Sequence, residues 1–97
     1  MLTQKEILDY LKTYKASKKE QYAIKRLGIF GSYARNEANV DSDIDIVVDF
    51  EKSTMFGLVA IKEDIEAYFN KHVDIVQIRE RMNGLLKERI QKDSIYV

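Results

Sequence analysis

Apolar residues recur at helical spacing near the start of the chain, directly after a polar segment that suits a helix N-terminus. The segment Thr3-Gln4-Lys5-Glu6 has the form of a capping box, in which Thr3 and Glu6 would each bond the other's backbone amide. The apolar residues that follow at helical spacing are Ile7, Leu8, Leu11 and Tyr14. This pattern predicts a first helix from Gln4 to about Lys15.

Two further long helices are indicated later in the chain. Ser53 or Thr54 is placed to cap the first of them. Its inner stripe is predicted to consist of Leu58, Ile61, Ile65 and Tyr68. The last helix, from about Glu80 to Gln91, is marked by the apolar residues Met82, Leu85, Leu86 and Ile90.

Three runs rich in apolar and β-branched residues predict strands. They are Ile24 to Phe30, Ile44 to Phe50 and Val73 to Ile78. The terminal residues Ile95-Tyr96-Val97 predict a short additional strand. A short helix through Tyr33, Ala34 and Arg35 is expected between the first two strands, with Ser32 as its N-cap.

The elements follow one another as helix, strand, short helix, strand, helix, strand, helix. That order predicts an α/β (α+β) fold with a small mixed β-sheet covered by helices. The chain has 97 residues, which is enough for one domain and too few for two, so residues 1–97 are expected to form a single domain. Because such a small core leaves little surface to enclose a ligand, any site is expected to be an open cleft that a partner could complete.

The charge balance argues against general nucleic-acid binding. Lys plus Arg and Asp plus Glu both number 16, so the chain lacks the basic excess with which nucleic-acid binders neutralise phosphate. Cysteine is absent, which excludes disulfides and thiolate metal sites. No apolar run approaches the roughly 20 residues that span a bilayer, and the N-terminal residues lack the apolar core of a signal peptide. We therefore expect a cytoplasmic protein without membrane contact.

Two carboxylates stand at the start of the second predicted strand. Asp43 and Asp45 are separated by one residue, so they project from the same face of the strand, with Cα atoms roughly 6.5 Å apart. Ile44 and Ile46 would point the other way, into the core. Neighbouring carboxylates repel each other, and a divalent cation such as Mg²⁺ removes that repulsion. The alternative is an edge strand with a solvated face, on which Asp43 ends a turn and Asp45 is a surface charge.

A third carboxylate lies in the run Val73-Asp74-Ile75-Val76. If this third strand pairs beside the second, Asp74 can face the same site as Asp43 and Asp45. Taken alone, Asp74 could equally be salt-bridged or exposed at an edge. Three acids on two adjacent strands would favour a metal site.

Gly31 and Ser32 join the first strand to the start of the short helix. Glycine allows the backbone to approach a ligand closely, and the free N–H groups of a helix N-terminus suit phosphate. A plain turn with a capped helix is the alternative interpretation. The loop precedes the acidic strand by only 12 positions, counting from Gly31 to Asp43. Phosphate donors and metal ligands would then lie at the same end of two strands, as a metal that bridges a triphosphate requires.

Together these segments resemble a known family. The run from Gly31 to Ala38, GSYARNEA, and the run from Ser42 to Val48, SDIDIVV, are similar to the signature of minimal nucleotidyltransferases of the DNA polymerase beta superfamily. The run Val73 to Val76, VDIV, resembles the strand that carries the third carboxylate of that family. The resemblance implies a polymerase-beta-like nucleotidyltransferase fold. One departure is Asn36, where family members usually have glycine; because Asn tolerates left-handed backbone angles, the turn is expected to survive.

The resemblance also implies roles for individual residues. Gly31 and Ser32 would bind the triphosphate of ATP, the substrate. Asp43 and Asp45 would ligate two Mg²⁺ ions, and Asp74 would help to ligate the catalytic metal and activate the attacking hydroxyl. The implied reaction is in-line attack on the α-phosphate with pyrophosphate leaving.

Chains this short resemble the antitoxin half of HEPN–MNT toxin–antitoxin systems. The resemblance implies a HEPN-domain toxin as partner and transfer of AMP from ATP to a tyrosine hydroxyl of that toxin. Two alternatives stay open: a non-catalytic module that masks its toxin sterically, and a transferase that acts on a small molecule or an RNA end. Arg35 could contact phosphate or the partner, or form an ion pair with Glu37 or an Asp. The single histidine, His72, is interpreted as a loop residue without a function.

Overall fold

The computed structural model describes residues 1–52, 55–79, 82 and 84–97. Within these residues, four helices and four strands follow one another along the chain. They are α1 (Gln4–Lys18), β1 (Ile24–Phe30), α2 (Gly31–Ala34), β2 (Ile44–Phe50), α3 (Met55–Phe69), β3 (Val73–Gln77), α4 (Gly84–Asp93) and β4 (Ile95–Tyr96). Among the described residues, no helix combines the length and the apolar character needed to cross a bilayer.

The strands form one mixed sheet in the order β3-β2-β1-β4. β2 and β3 run parallel, whereas β1 is antiparallel to both β2 and β4. The parallel pair is joined by α3, as a crossover between parallel strands requires. The predicted α/β (α+β) class with a small mixed sheet is therefore confirmed.

The hydrophobic core lies on one face of the sheet, beneath α1 and α3. Apolar residues of β2 alternate into it, since Ile44, Ile46 and Val48 are fully buried members of the core cluster. The helices contribute Ile7, Leu11, Tyr14, Ile61 and Ile65. Because successive strand residues point to opposite faces, the odd-numbered residues of β2 lie on the other face of the sheet.

The N-terminus of α1 agrees with the prediction, and its C-terminus lies further along the chain. Thr3 and Glu6 form the predicted capping box, with reciprocal bonds between side chain and backbone. The helix continues to Lys18, about one turn beyond the predicted end. The added turn carries no apolar stripe, which is why periodicity missed it, and Lys15 and Lys18 lie favourably at the negative end of the helix dipole.

One residue of the inner stripe predicted for α3 is exposed. Tyr68 on α3 is 64% exposed and stacks on Tyr10 of α1, with ring centroids 4.0 Å apart. Of the apolar residues that predicted α4, Leu85 is 76% exposed and Ile90 is buried. Helical spacing places residues on a face but does not say where the neighbouring layer ends. The predicted caps Ser53 and Thr54 and the predicted helix start at Glu80 lie outside the described residues.

Candidate active site

The parallel pairing of β2 with β3 brings the predicted carboxylates together. Asp45 lies opposite Asp74 in the register, and Ile44 lies opposite Val73. Ile44 and Val73 are both fully buried in the core, so Asp45 and Asp74 share the opposite face. Asp43 precedes β2 by one residue and belongs to the same face by alternation. Asp74 therefore lies on the same sheet face as Asp43 and Asp45, as the predicted site requires.

A histidine predicted to be a loop residue without a function lies within this group. His72 Nδ1 is 3.4 Å from Asp43 Oδ2 and 3.9 Å from Asp74 Oδ1. The ligand atoms of these three side chains all lie within 4.8 Å of one another. The backbone holds His72 there, because Ile44 N–H donates to the His72 carbonyl over 3.1 Å. Within the described residues, the group compact enough to hold a cation is thus Asp43, His72 and Asp74, with Asp45 beside it.

Asp45 has an electrostatic reason to accept a cation. Partial burial raises the pKa of its carboxyl above the ordinary value, and the negative charges of Asp74 and Asp43 raise this pKa further. The guanidinium of Arg35 opposes the shift without cancelling it. A divalent cation would reverse this unfavourable arrangement, so the donor set fits a hard metal ion bound through oxygen.

The turn between β1 and α2 lies directly against Asp45. Gly31 has a φ of 72°, in the left-handed region that favours glycine. A Cβ atom at residue 31 would collide with the Asp45 carboxylate. The glycine therefore allows the loop backbone and the acidic strand to touch. The loop predicted to hold phosphate and the strand predicted to hold metal are adjacent in the structure.

The start of α2 differs in detail from the prediction. The helix begins at Gly31, and its N-cap is Phe30, which makes no side-chain capping bond. Ser32, predicted to be the N-cap, is the second residue of the helix. The helix therefore begins two residues earlier than a serine cap at position 32 would place it.

The turn that leaves α2 forms as expected despite the missing family glycine. Asn36 has a φ of 59°, in the left-handed region. Backbone bonds close the turn, from Arg35 N–H to the Gly31 carbonyl at 3.0 Å and from Glu37 N–H to the Ser32 carbonyl at 2.8 Å. The expectation that Asn36 would preserve this turn is confirmed.

Arg35 forms ion pairs with two acidic side chains. Its Nε donates to Glu37 Oε2 at 3.1 Å, and its Nη1 donates to Asp93 Oδ2 at 2.9 Å. The second bond ties the end of α2 to the end of α4. Arg35 was predicted either to contact phosphate or the partner, or to form an ion pair. The structure shows the ion pairs.

A small cleft opens between the loop, the acidic strand and α4. Its volume is about 260 Å³. The residues that line it are Phe30, Gly31, Ser32, Arg35, Asp45, Arg89 and Asp93. Arg89 and Asp93 were missed by sequence reasoning, because an Arg and an Asp one helical turn apart are ordinary surface residues. His72 did carry a signal: the spacing His72-x-Asp74 repeats the spacing Asp43-x-Asp45.

The fold and this site define a nucleotidyltransferase. Residues 6–97 match the family model described as a nucleotidyltransferase domain, and the chain belongs to that family. It is similar to the protein adenylyltransferase MntA of Thermococcus cleftensis, with 36% identity over 98 residues that cover all of this chain and 98% of the relative. It is 39% identical over 98 residues to a Methanocaldococcus jannaschii protein assigned as a protein adenylyltransferase, over the full length of both.

Solved structures show the same fold. A protein assigned as a minimal nucleotidyltransferase superposes with a TM-score of 0.75 and 29% identity, over 97% of this chain and 95% of that one. A chain from the complex of tri-AMPylated Shewanella oneidensis HEPN toxin with MNT antitoxin superposes with a TM-score of 0.60 over 90% of this chain and 69% of that one. Its identity is 19%, so this second likeness concerns the fold alone.

Proposed function

We propose that this protein transfers AMP from ATP–Mg²⁺ to a tyrosine hydroxyl of a partner HEPN-domain toxin, and so acts as an antitoxin. The observation that carries the proposal is the convergence of Asp43, Asp45 and Asp74 on one sheet face beside the loop at Gly31. Family membership supports nucleotidyl transfer, and the full-length relatives named as protein adenylyltransferases support AMP as the group and protein as the acceptor.

In this proposal, Gly31 and Ser32 bind the triphosphate. The left-handed glycine brings the loop backbone against the acidic strand, so phosphate bound at the loop would lie beside the metal ligands, and the Ser32 hydroxyl adds a donor. The cleft of about 260 Å³ is smaller than the roughly 300–1,000 Å³ of most ligand pockets. It suits phosphates rather than a whole nucleotide, so the base would lie outside it, where a partner could cover it.

Asp43, Asp45 and Asp74 are the residues that would hold two Mg²⁺ ions. When bound, the metal would neutralise charge on the reacting phosphates. Asp74 would accept the proton of the attacking hydroxyl. A new bond forms between the hydroxyl oxygen and the α-phosphorus, the bond from the α-phosphorus to the bridging oxygen breaks, and pyrophosphate leaves.

A partner protein is part of the proposal because the chain offers little enclosure of its own. The acidic site is open: the side chains of Asp43 and Asp74 are 48% and 55% exposed. Exclusion of water from the reacting phosphates therefore needs a second surface. The fold shared with a chain of a HEPN–MNT complex is consistent with such an assembly. The zero net charge is consistent with a protein rather than a nucleic acid as acceptor. A cytoplasmic location stays a prediction.

The test is incubation with α-labelled ATP, Mg²⁺ and the product of the adjacent gene. Label is expected on a tyrosine of that protein. Asp45→Asn should lower the transfer rate by about 100-fold or more, because metal stabilisation of the transition state amounts to several kcal/mol. The matched control is Asp49→Asn, on the same strand and face, where the carboxylate instead pairs with Arg26 at 3.1 Å. The control should keep the transfer rate near wild type.

Two results would overturn the proposal. Transfer by Asp45→Asn at the rate of Asp49→Asn would refute the metal assignment. Tight binding of the partner without label, alike for wild type and Asp43→Ala, would indicate an antitoxin that acts by steric masking alone.

A further inference from the structure

Two neighbouring strands present the same polar spacing to the candidate active site. Asp43 and Asp45 are separated by one residue, as are His72 and Asp74. The parallel register places Asp45 opposite Asp74 and Ile44 opposite Val73, and His72 Nδ1 lies 3.4 Å from Asp43 Oδ2. Three carboxylates and one imidazole therefore lie together at this end of the two strands.

The imidazole is close enough to share a metal ion with two of these carboxylates. Its Nδ1 lies 3.4 Å from Asp43 Oδ2 and 3.9 Å from Asp74 Oδ1. Neighbouring ligands of a metal at about 2.1 Å are roughly 3 Å apart. Since all three side chains are about half exposed, small rotations would complete that geometry.

We propose that His72 is a direct ligand of one metal ion in this site, and that this position prefers a transition-metal ion such as Mn²⁺ to Mg²⁺. This inference rests on the proposed function, because it concerns the metal that the carboxylates hold. Mg²⁺ favours oxygen ligands only, whereas an imidazole nitrogen adds affinity for first-row transition metals. The imidazole nitrogen would thus distinguish this metal position from one built by Asp45 and phosphate oxygens.

The chain offers an unusually direct test, because His72 is its single histidine. Protein prepared without a polyhistidine tag is loaded with Mn²⁺ and studied by pulsed electron paramagnetic resonance. A ¹⁴N coupling of the size of a directly bound imidazole is expected, and it can come only from His72. This readout needs neither ATP nor the partner.

Metal affinity supplies the second readout. His72→Ala should weaken Mn²⁺ binding by at least about 10- to 100-fold. Loss of a group that only orients a metal ligand costs that much, and loss of a ligand itself should cost no less. The Mg²⁺ affinity of the variant should stay close to wild type. The variant should fold, because the His72 side chain is 55% exposed, and an amide fingerprint spectrum checks this. Asp43→Asn serves as the reference for loss of the metal centre itself.

Three other outcomes would overturn either the direct ligation by His72 or the metal centre as a whole. If Mn²⁺ binds and Asp43→Asn abolishes binding, but no ¹⁴N coupling appears, His72 is not a ligand while the proposed metal centre survives. A weaker affinity in His72→Ala without the coupling equally refutes direct ligation, since His72 would then act only through Asp43. If wild type, His72→Ala and Asp43→Asn bind Mn²⁺ alike, both this inference and the metal assignment of the proposed function fail.

Discussion

At the scale of single residues, the contact between Gly31 and Asp45 has the greatest consequence for the site. One residue belongs to the loop proposed to hold phosphate and the other to the strand proposed to hold metal. They touch because residue 31 has no Cβ and adopts a φ of 72°. The absence of a side chain at residue 31 therefore allows the loop and the acidic strand to be in contact.

Gly31→Ala tests this contact. The left-handed conformation disfavours alanine by roughly 1–2 kcal/mol, and the added methyl group collides with the Asp45 carboxylate. We expect a loss of stability of about that size in urea unfolding and a loss of ATP–Mg²⁺ binding by calorimetry. The matched control is Gly84→Ala, where a Cβ meets nothing within 4 Å and alanine favours the helix. Equal nucleotide affinity in the two variants would contradict the predicted role of the contact.

The same scale shows which residues were predictable. Asp43 and Asp45 share a face because alternation along a strand is local, and this followed from the sequence. Their partnership with His72 depends on the register between two strands that lie 29 positions apart in the chain, counted from Asp45 to Asp74. Each strand carries two polar residues separated by one residue, and this spacing is visible in the sequence. Only the pairing of the strands places the two sets side by side.

At the scale of elements, β4 is a short strand with an effect on the site. It pairs with the free edge of β1, where Gly28 lies opposite Tyr96. A Cβ atom at residue 28 would collide with the backbone of Ile95. Since β4 directly follows α4, this close approach also fixes α4, whose Asp93 bonds Arg35 beside the cleft. The short terminal strand was predicted from three residues, but its partner strand was not.

Gly28→Ala should detach β4 from β1. We expect a destabilisation of about 1–3 kcal/mol, the usual cost of overpacking. Hydrogen exchange should accelerate at the Val97 amide, which donates to the Leu27 carbonyl at 2.9 Å. Lys25→Ala, at an exposed position of the same strand, should change stability by no more than about 0.5 kcal/mol. A Val97 amide protected as in wild type would refute this account of the edge.

At the scale of the whole molecule, zero net charge conceals an uneven distribution. The carboxylates of Asp43, Asp45 and Asp74 are gathered at one end of the sheet, and their mutual repulsion contributes to the raised pKa of Asp45. Without metal, the fold therefore bears an electrostatic cost at neutral pH. The repulsion that lowers the stability of the metal-free protein also favours the binding of cations.

This cost predicts the pH dependence of Asp45→Asn. Because the folded-state pKa is raised above the ordinary 3.8, the folded protein binds the proton more tightly than the unfolded chain. As pH rises from the unfolded-state pKa to the folded-state pKa, the contribution of Asp45 to stability falls. The destabilisation by the ionised carboxylate is complete above the folded-state pKa. In EDTA, Asp45→Asn should be more stable than wild type at pH ~7, and this advantage should shrink as pH falls and be absent below pH ~4.

Urea unfolding across that pH range measures the difference. Mg²⁺ should stabilise wild type more than the variant, because it binds the folded site. Asp49→Asn, which removes a carboxylate paired with Arg26, should show no gain at neutral pH. A variant less stable than wild type at every pH would contradict the predicted repulsion.

The sequence by itself determined the local structure and the faces of this protein. Strand alternation, helix periodicity, the capping box at Thr3 and the spacing of Asp43 and Asp45 all depend on residues within one or two turns of one another. The tertiary structure decided which of these faces meet. His72 lies beside Asp43, Arg35 reaches Asp93 and Gly31 touches Asp45 because strand register and helix packing join distant segments, and no local pattern encodes those distances.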